Sequence, residues 1–190
     1  KHFVEHVFGD FDRDGDVVSK NKRNVVRSAT LSGGEKVALK FTHARTGAKI
    51  LNFFGKPSKA RRAYENALVL EAGGIATPAP VAFVELRKGA VVCVSCYISL
   101  FSADTTVAPL LECDHPQSEV ARAFAGLLAT LHGKGIVHHD LNFSNILYHQ
   151  SDGKYILSLI DINRMTVTAS SRLSLKDCKD DFVRWTDRKE

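Results

Sequence analysis

The chain has 190 residues, 44% of them hydrophobic and 25% charged, with a formal net charge of +5. These are the proportions of an ordinary globular protein, long enough for one sizeable core or two small lobes. No apolar run reaches the roughly 18 residues that span a bilayer. The opening KHFVEHVF lacks the basic start, apolar core and cleavage site of a secretory signal, so a cytoplasmic protein is the expectation.

In chain order, the first forty residues read as short β segments joined by turns. Val17-Val18, Val25-Val26 and residues 36–42 are strand-like, with Ser32-Gly33-Gly34 as a turn. Before them, Asp10-Phe11-Asp12-Arg13-Asp14-Gly15-Asp16 copies the opening of an EF-hand loop. Its ninth position is Val18, however, and its twelfth is Asn21 rather than the bidentate Glu that calcium needs, so a solvated acidic turn fits better. Between Glu35 and Glu65 there is no acidic residue, while Lys36, Lys40, Lys49, Lys56, Arg61 and Arg62 are all basic. A field of that sign suits a phosphorylated or anionic partner, although a solvated face has the same composition. Within it, Ile50, Leu51, Phe53 and Phe54 cluster between Lys49 and Lys56. That mixture serves an interfacial membrane contact as well as it serves a loop packed on the next helix.

Ser58 is placed to cap a helix predicted over residues 59–71 and ended by Gly73-Gly74. Thr77-Pro78-Ala79-Pro80 gives an extended lead-in to strands over residues 81–86 and 90–100, which turn at Lys88-Gly89. Cys93-Val94-Ser95-Cys96 has CxxC spacing, but residues three apart on a strand point to opposite faces. The thiols therefore diverge and read as reduced, small apolar side chains. A longer helix starts around Asp114-His115-Pro116 and runs to about His132, with Val120, Phe124, Leu127, Leu128 and Leu131 on one face. Short apolar runs at residues 136–137, 146–148 and 155–160 then flank a polar loop. From Arg172 onward the sequence is polar, either a final helix or simply where the sequence stops. This order predicts an α+β fold with a β-rich first lobe to about residue 100 and a helical second lobe from about residue 101 to residue 190.

The chemistry concentrates in His138-His139-Asp140-Leu141-Asn142-Phe143-Ser144-Asn145-Ile146-Leu147. An Asp followed five residues later by an Asn, flanked by apolar anchors, is the spacing of a kinase catalytic loop. Phosphoryl transfer needs a carboxylate to orient the acceptor hydroxyl and take its proton, and an amide oxygen nearby to hold a metal ion on the ATP phosphates. Fourteen residues past Leu147, Asp161 ends an apolar strand and suits a second magnesium contact. In the first lobe, Val37-Ala38-Leu39-Lys40 matches the strand whose Lys contacts the α- and β-phosphates. Glu65, twenty-five residues on and helical, is placed to pair with Lys40. Each charge alone reads as solvated surface; their order along the chain does not.

Thr77-Pro78-Ala79-Pro80, residues 138–147 and above all Ser158-Leu159-Ile160-Asp161-Ile162-Asn163-Arg164-Met165 resemble the lipopolysaccharide kinase (Kdo/WaaP) family, its Bacteroidetes-type members in particular. The similarity extends to residues 59–68 (KARRAYENAL) and to the Asn21-Lys22-Arg23-Asn24 turn. The resemblance implies a two-lobed protein-kinase-like fold and ATP- and Mg2+-dependent phosphorylation of a sugar hydroxyl, such as that of Kdo, in the lipopolysaccharide inner core. By position, Asp140 is the base, Asn145 and Asp161 are the metal ligands, and Lys40 with Glu65 positions the phosphates.

The departures from a protein kinase are Asn142 where Lys is usual, His138-His139-Asp140 for HRD, Asp161-Ile162-Asn163 for DFG, and no glycine-rich loop before Lys40. Lys22 and Arg23 are candidates to supply the phosphate charge that such a loop would otherwise handle. The alternatives are a protein or aminoglycoside-type kinase, and a nucleotide-binding pseudokinase or scaffold. The partner expected is a core sugar or lipid A precursor, with peripheral contact at the inner membrane and no nucleic acid. Only 29 residues follow Asp161, so the helical lobe is expected to be reduced or cut short.

Overall fold

The structure, a computed structural model, describes residues 16–20, 24–43, 56–113, 115, 117–168 and 173–186. The acidic turn at residues 10–15, the basic turn bearing Lys22 and Arg23, and the cluster of Ile50, Leu51, Phe53 and Phe54 lie outside the described residues. The chain forms two compact units. One draws on the sequence up to Glu65 and on Ala79–Ser102, the other on Asn66–Pro78 and Ala103–Glu190.

The first unit is built on one antiparallel sheet. Its strands are β1 (Asp16–Lys20), β2 (Asn24–Thr30), β3 (Lys36–His43), β4 (Pro80–Lys88) and β5 (Val91–Leu100), in the order β1-β2-β3-β5-β4. Period-two alternation fixes which face each side chain takes. Val37, Leu39 and Phe41 are buried and pack with Cys96 and Ile98 of β5, so Lys40 projects from the opposite face of β3. In register, Lys40 sits between Val26 of β2 and Tyr97 of β5. Cys96 is buried and Cys93 only half-buried, as divergent strand positions require, and neither is joined in a disulfide.

Helix α1 (Lys59–Ala72) begins where the Ser58 hydroxyl accepts a hydrogen bond from the Arg61 N–H at 3.0 Å. That bond satisfies one of the donors that a helix start leaves over. The helix ends where Gly74 N–H reaches the Glu71 carbonyl and Ile75 N–H the Leu70 carbonyl, both at 2.9 Å, the paired closure of a glycine-capped helix. Its first half belongs to the first unit, where Tyr64 lies against Phe83 with ring centroids 5.5 Å apart. Its second half belongs to the other unit.

The second unit contains β6 (Thr105–Thr106), α2 (Ala108–Leu111), α3 (Ser118–Gly133), β7 (Ile136–Val137), β8 (Ile146–Ser151), β9 (Lys154–Leu159), β10 (Thr166–Val167) and α4 (Leu175–Thr186). Helix α3 buries Val120, Phe124, Leu128 and Leu131 at helical spacing, as the sequence predicts. It starts at Ser118 rather than near Asp114, because Gln117 is still extended at ψ 117°. The polar tail expected either to be helical or simply to stop is helical from Leu175.

Strands β8 and β9 form a hairpin turned on Asp152-Gly153, both at positive φ (50° and 72°). Asp-Gly suits this two-residue turn because its twist matches that of the paired strands. Gly153→Val should lower stability by about 1–2 kcal/mol in urea denaturation, because a side chain at that φ is strained. Gly126→Ala, mid-helix with nothing within 4 Å of the added carbon, should instead raise stability by about 0.5–1 kcal/mol.

Candidate active site

The hairpin explains the interval between Asn145 and Asp161. Ile146 opens β8 and pairs with Leu159, which closes β9, so the residues just outside that pair are brought side by side. Ile160 N–H donates to the Asn145 carbonyl at 3.0 Å, and Asp161 follows immediately. The two candidate metal ligands, sixteen positions apart in sequence, are thus neighbours by strand pairing. The Asn145 side chain then turns back on the loop, its Nδ2 donating to the Asp140 carbonyl at 2.8 Å. Asn142 Nδ2 donates to the same carbonyl at 3.2 Å, and Ser144 Oγ donates to Asn142 Oδ1. Asp140, Asn145 and Asp161 are therefore assembled in one place.

What holds the loop around Asp140 is a residue the sequence did not reveal. Asp181 on α4 is fully buried, and its carboxylate accepts the His138 N–H at 3.0 Å and the His139 N–H at 2.7 Å. His132 Nε2 of α3 approaches the same carboxylate at 3.1 Å. His139 has a left-handed backbone, φ 61°, which an ordinary residue adopts at a cost of about 1–3 kcal/mol. Charge-assisted bonds to Asp181 offset that cost and fix the direction in which the next residue, Asp140, leaves. Asp180 adds a second tie from α4, with Oδ2 2.9 Å from His139 Nδ1, while His139 Nε2 meets Thr166 Oγ1 at 2.7 Å. No short-range sequence signal announces Asp180 and Asp181, which lie some forty positions from the loop in a polar segment.

His138 is buried between the two carboxylate loops. A carbonyl can only accept, so its Nε2 carries a proton toward the Ile160 carbonyl at 3.2 Å. Burial pushes the imidazole below its usual range, and Asp181 and the Ile160 carbonyl only partly offset this. It serves as a spacer that ties the loop before Asp140 to the residue before Asp161.

Asp161 is also left-handed, φ 57°, and its carboxylate Oδ1 accepts the amide of Asn163, itself buried, at 2.5 Å. The short 3-10 turn that carries Asn163 (Ile162–Arg164) is fixed by Asn66 of α1, whose Nδ2 donates to the Ile162 carbonyl at 2.6 Å. Arg164 leaves this turn outward, with Nη1 3.4 Å from Asp140 Oδ2. Among the described residues no group of three or more His, Cys, Asp or Glu is arranged to hold a metal by itself. The donor chemistry at Asn145 and Asp161 nevertheless fits magnesium. The Asn145 amide nitrogen is committed to Asp140, leaving its oxygen as the ligating atom, and Asp161 adds a carboxylate, both hard oxygen donors.

Lys40 and Glu65 belong to the first unit. There Glu65 Oε1 takes Arg61 Nε at 2.8 Å, one turn back on the same exposed helix face.

Residues 21–181 match the model of the Lipopolysaccharide kinase (Kdo/WaaP) family, the family that the sequence resembles. No curated protein matches the chain. Among solved structures the chain is similar to WaaP in complex with acyl carrier protein, with a TM-score of 0.65 at 18% identity over 94% of this chain and 71% of that one. It is also similar to the Rio2 kinase–ADP/Mg2+–phosphoaspartate complex from Chaetomium thermophilum, with a TM-score of 0.61 at 16% identity over 96% and 59% of the two chains. A Stt7 homolog from Micromonas algae soaked with ATP gives a TM-score of 0.54 at 18% identity over 78% and 48%. At these identities the likeness is one of fold, and the fold is protein-kinase-like.

Asp181→Ala should destabilise the protein by about 3–5 kcal/mol in chemical denaturation, because it strands two backbone donors and a histidine in a buried site. Asp180→Ala, at an exposed carboxylate, should cost no more than about 1 kcal/mol in the same measurement.

Proposed function

Because the chain belongs to the lipopolysaccharide kinase (Kdo/WaaP) family, and is by that membership a kinase, we propose that it transfers the γ-phosphoryl group of ATP to a sugar hydroxyl, that of Kdo, in the lipopolysaccharide inner core. In this reading Asp140 orients the hydroxyl and takes its proton as the oxygen bonds to phosphorus and the bond to ADP breaks. Asn145 and Asp161 would hold magnesium, which would offset the charge of the phosphates. Lys40 contacts the α- and β-phosphates, with Glu65 exchanging Arg61 for Lys40 when nucleotide is held. Lys22 and Arg23 supply positive charge in place of a glycine-rich loop.

The observation that carries the reading is the grouping of Asp140, Asn145 and Asp161, with the Asn145 amide on the Asp140 carbonyl, the Asn163 amide on the Asp161 carboxylate and Asn145 paired to Ile160 by the hairpin. One solved structure of like fold is an ADP/Mg2+ complex and another was soaked with ATP, which supports the use of nucleotide and magnesium here. The basic stretch between Glu35 and Glu65 supports a cytoplasmic protein that docks peripherally on the inner membrane, where an anionic glycolipid acceptor resides. No helix among the described residues is long and apolar enough to cross a membrane.

The test is transfer of the γ-phosphate from ATP to Kdo-lipid A by the full-length protein, with a generic peptide as the competing acceptor. Transfer to the glycolipid and none to the peptide is expected. Peptide phosphorylation without glycolipid phosphorylation would overturn the assignment.

A further inference from the structure

The pair between Arg164 and Asp140 is unlike the other contacts of the loop. Its atoms are 3.4 Å apart, and the Arg164 side chain is 53% exposed. A contact of that length and exposure contributes about 0–1 kcal/mol, too little to explain a built feature as a stabilising one. Yet the presentation of Arg164 is built. Ile162, Asn163 and Met165 around it are buried, and Asn66 Nδ2 reaches the carbonyls of both Ile162 and Met165, so the backbone is held on either side while this one side chain turns outward. Among the described residues, Asp140 is the only partner of its guanidinium. A guanidinium has five N–H donors in a planar fork, so most of them remain open to a second anion.

Where it stands, the cation competes with the acceptor hydroxyl for the carboxylate oxygen of the base. An acceptor that brings its own oxyanion would remove that competition, taking the fork bidentately and freeing Asp140 for the hydroxyl. We propose that Arg164 reads a carboxylate on the acceptor, next to the hydroxyl that is phosphorylated, and so couples recognition of an acidic sugar to release of the catalytic base. This rests on the reading of the acceptor as an inner-core sugar and adds to it a specificity-determining residue. The same fork would also accept a phosphate of the lipid anchor, so the two sources are separated in the test.

The full-length wild type, Arg164→Ala and Arg164→Lys are assayed with three acceptors: Kdo-lipid A, the same glycolipid with the Kdo carboxyl reduced to an alcohol, and Kdo-lipid A stripped of its lipid A phosphates. For the wild type, kcat/KM should fall on the order of 10- to 100-fold on carboxyl reduction and little on loss of the phosphates. In Arg164→Ala that preference should shrink to about twofold, with KM for ATP unchanged, and Arg164→Lys should fall between, because it keeps the charge and loses the fork. Wild-type transfer indifferent to the carboxyl, or a preference that follows the lipid phosphates alone, overturns the role of Arg164 and leaves the kinase reading standing. An equal loss on all acceptors in Arg164→Ala also overturns it. No transfer to any of the three glycolipids overturns both readings.

Discussion

The buried carboxylate of Asp181 is the contact on which the rest of the site depends. It accepts two consecutive backbone N–H groups, from His138 and His139, and a ring nitrogen of His132, and so joins α4, α3 and the catalytic loop in one place. A buried ion is costly unless its lone pairs are filled, and these are filled by the loop it organises. The left-handed turn at His139 persists because this carboxylate holds it, and the direction of Asp140 follows from that turn. Helix α4 is therefore structural support for a loop some forty residues earlier in the chain.

A second constraint comes from strand pairing. The Asp-Gly turn between β8 and β9 sets the register that places Asn145 beside Ile160, and so beside Asp161. Side-chain amides complete the fixation, that of Asn145 on the Asp140 carbonyl and that of Asn163 on the Asp161 carboxylate. Two of the departures from the protein-kinase pattern, Asn142 and Asn163, donate to a group on Asp140 or Asp161. They replace a lysine and a glycine with amides that order the loops, an arrangement suited to a site that is set by hydrogen bonding.

Much of this was legible in the sequence because its signals are local. Short β-branched and apolar stretches marked β2, β3 and β5, Ser58 and Gly73-Gly74 bracketed α1 to within a residue, and the 3.6-residue apolar spacing marked α3. Asp140, Asn145 and Asp161 were legible because their spacing is set by one loop and one hairpin. Asp181, Asn66 and Arg164 were not assigned roles, because each acts through a contact distant in sequence, and an Asp in a polar helix looks like surface until its burial is known. The Asp152-Gly153 turn carried a readable hairpin signal that the apolar runs around it obscured.

The central claim is that the loop held by Asp181 presents Asp140 as the base of a phosphoryl transfer. The most direct test is Asp140→Asn in the full-length protein, comparing initial rates of transfer from ATP to Kdo-lipid A with calorimetric binding of magnesium–ATP. A general base contributes about a hundredfold or more, so transfer should fall at least that far while nucleotide affinity changes by less than about threefold. Transfer that survives the substitution, with nucleotide bound as before, would contradict the account.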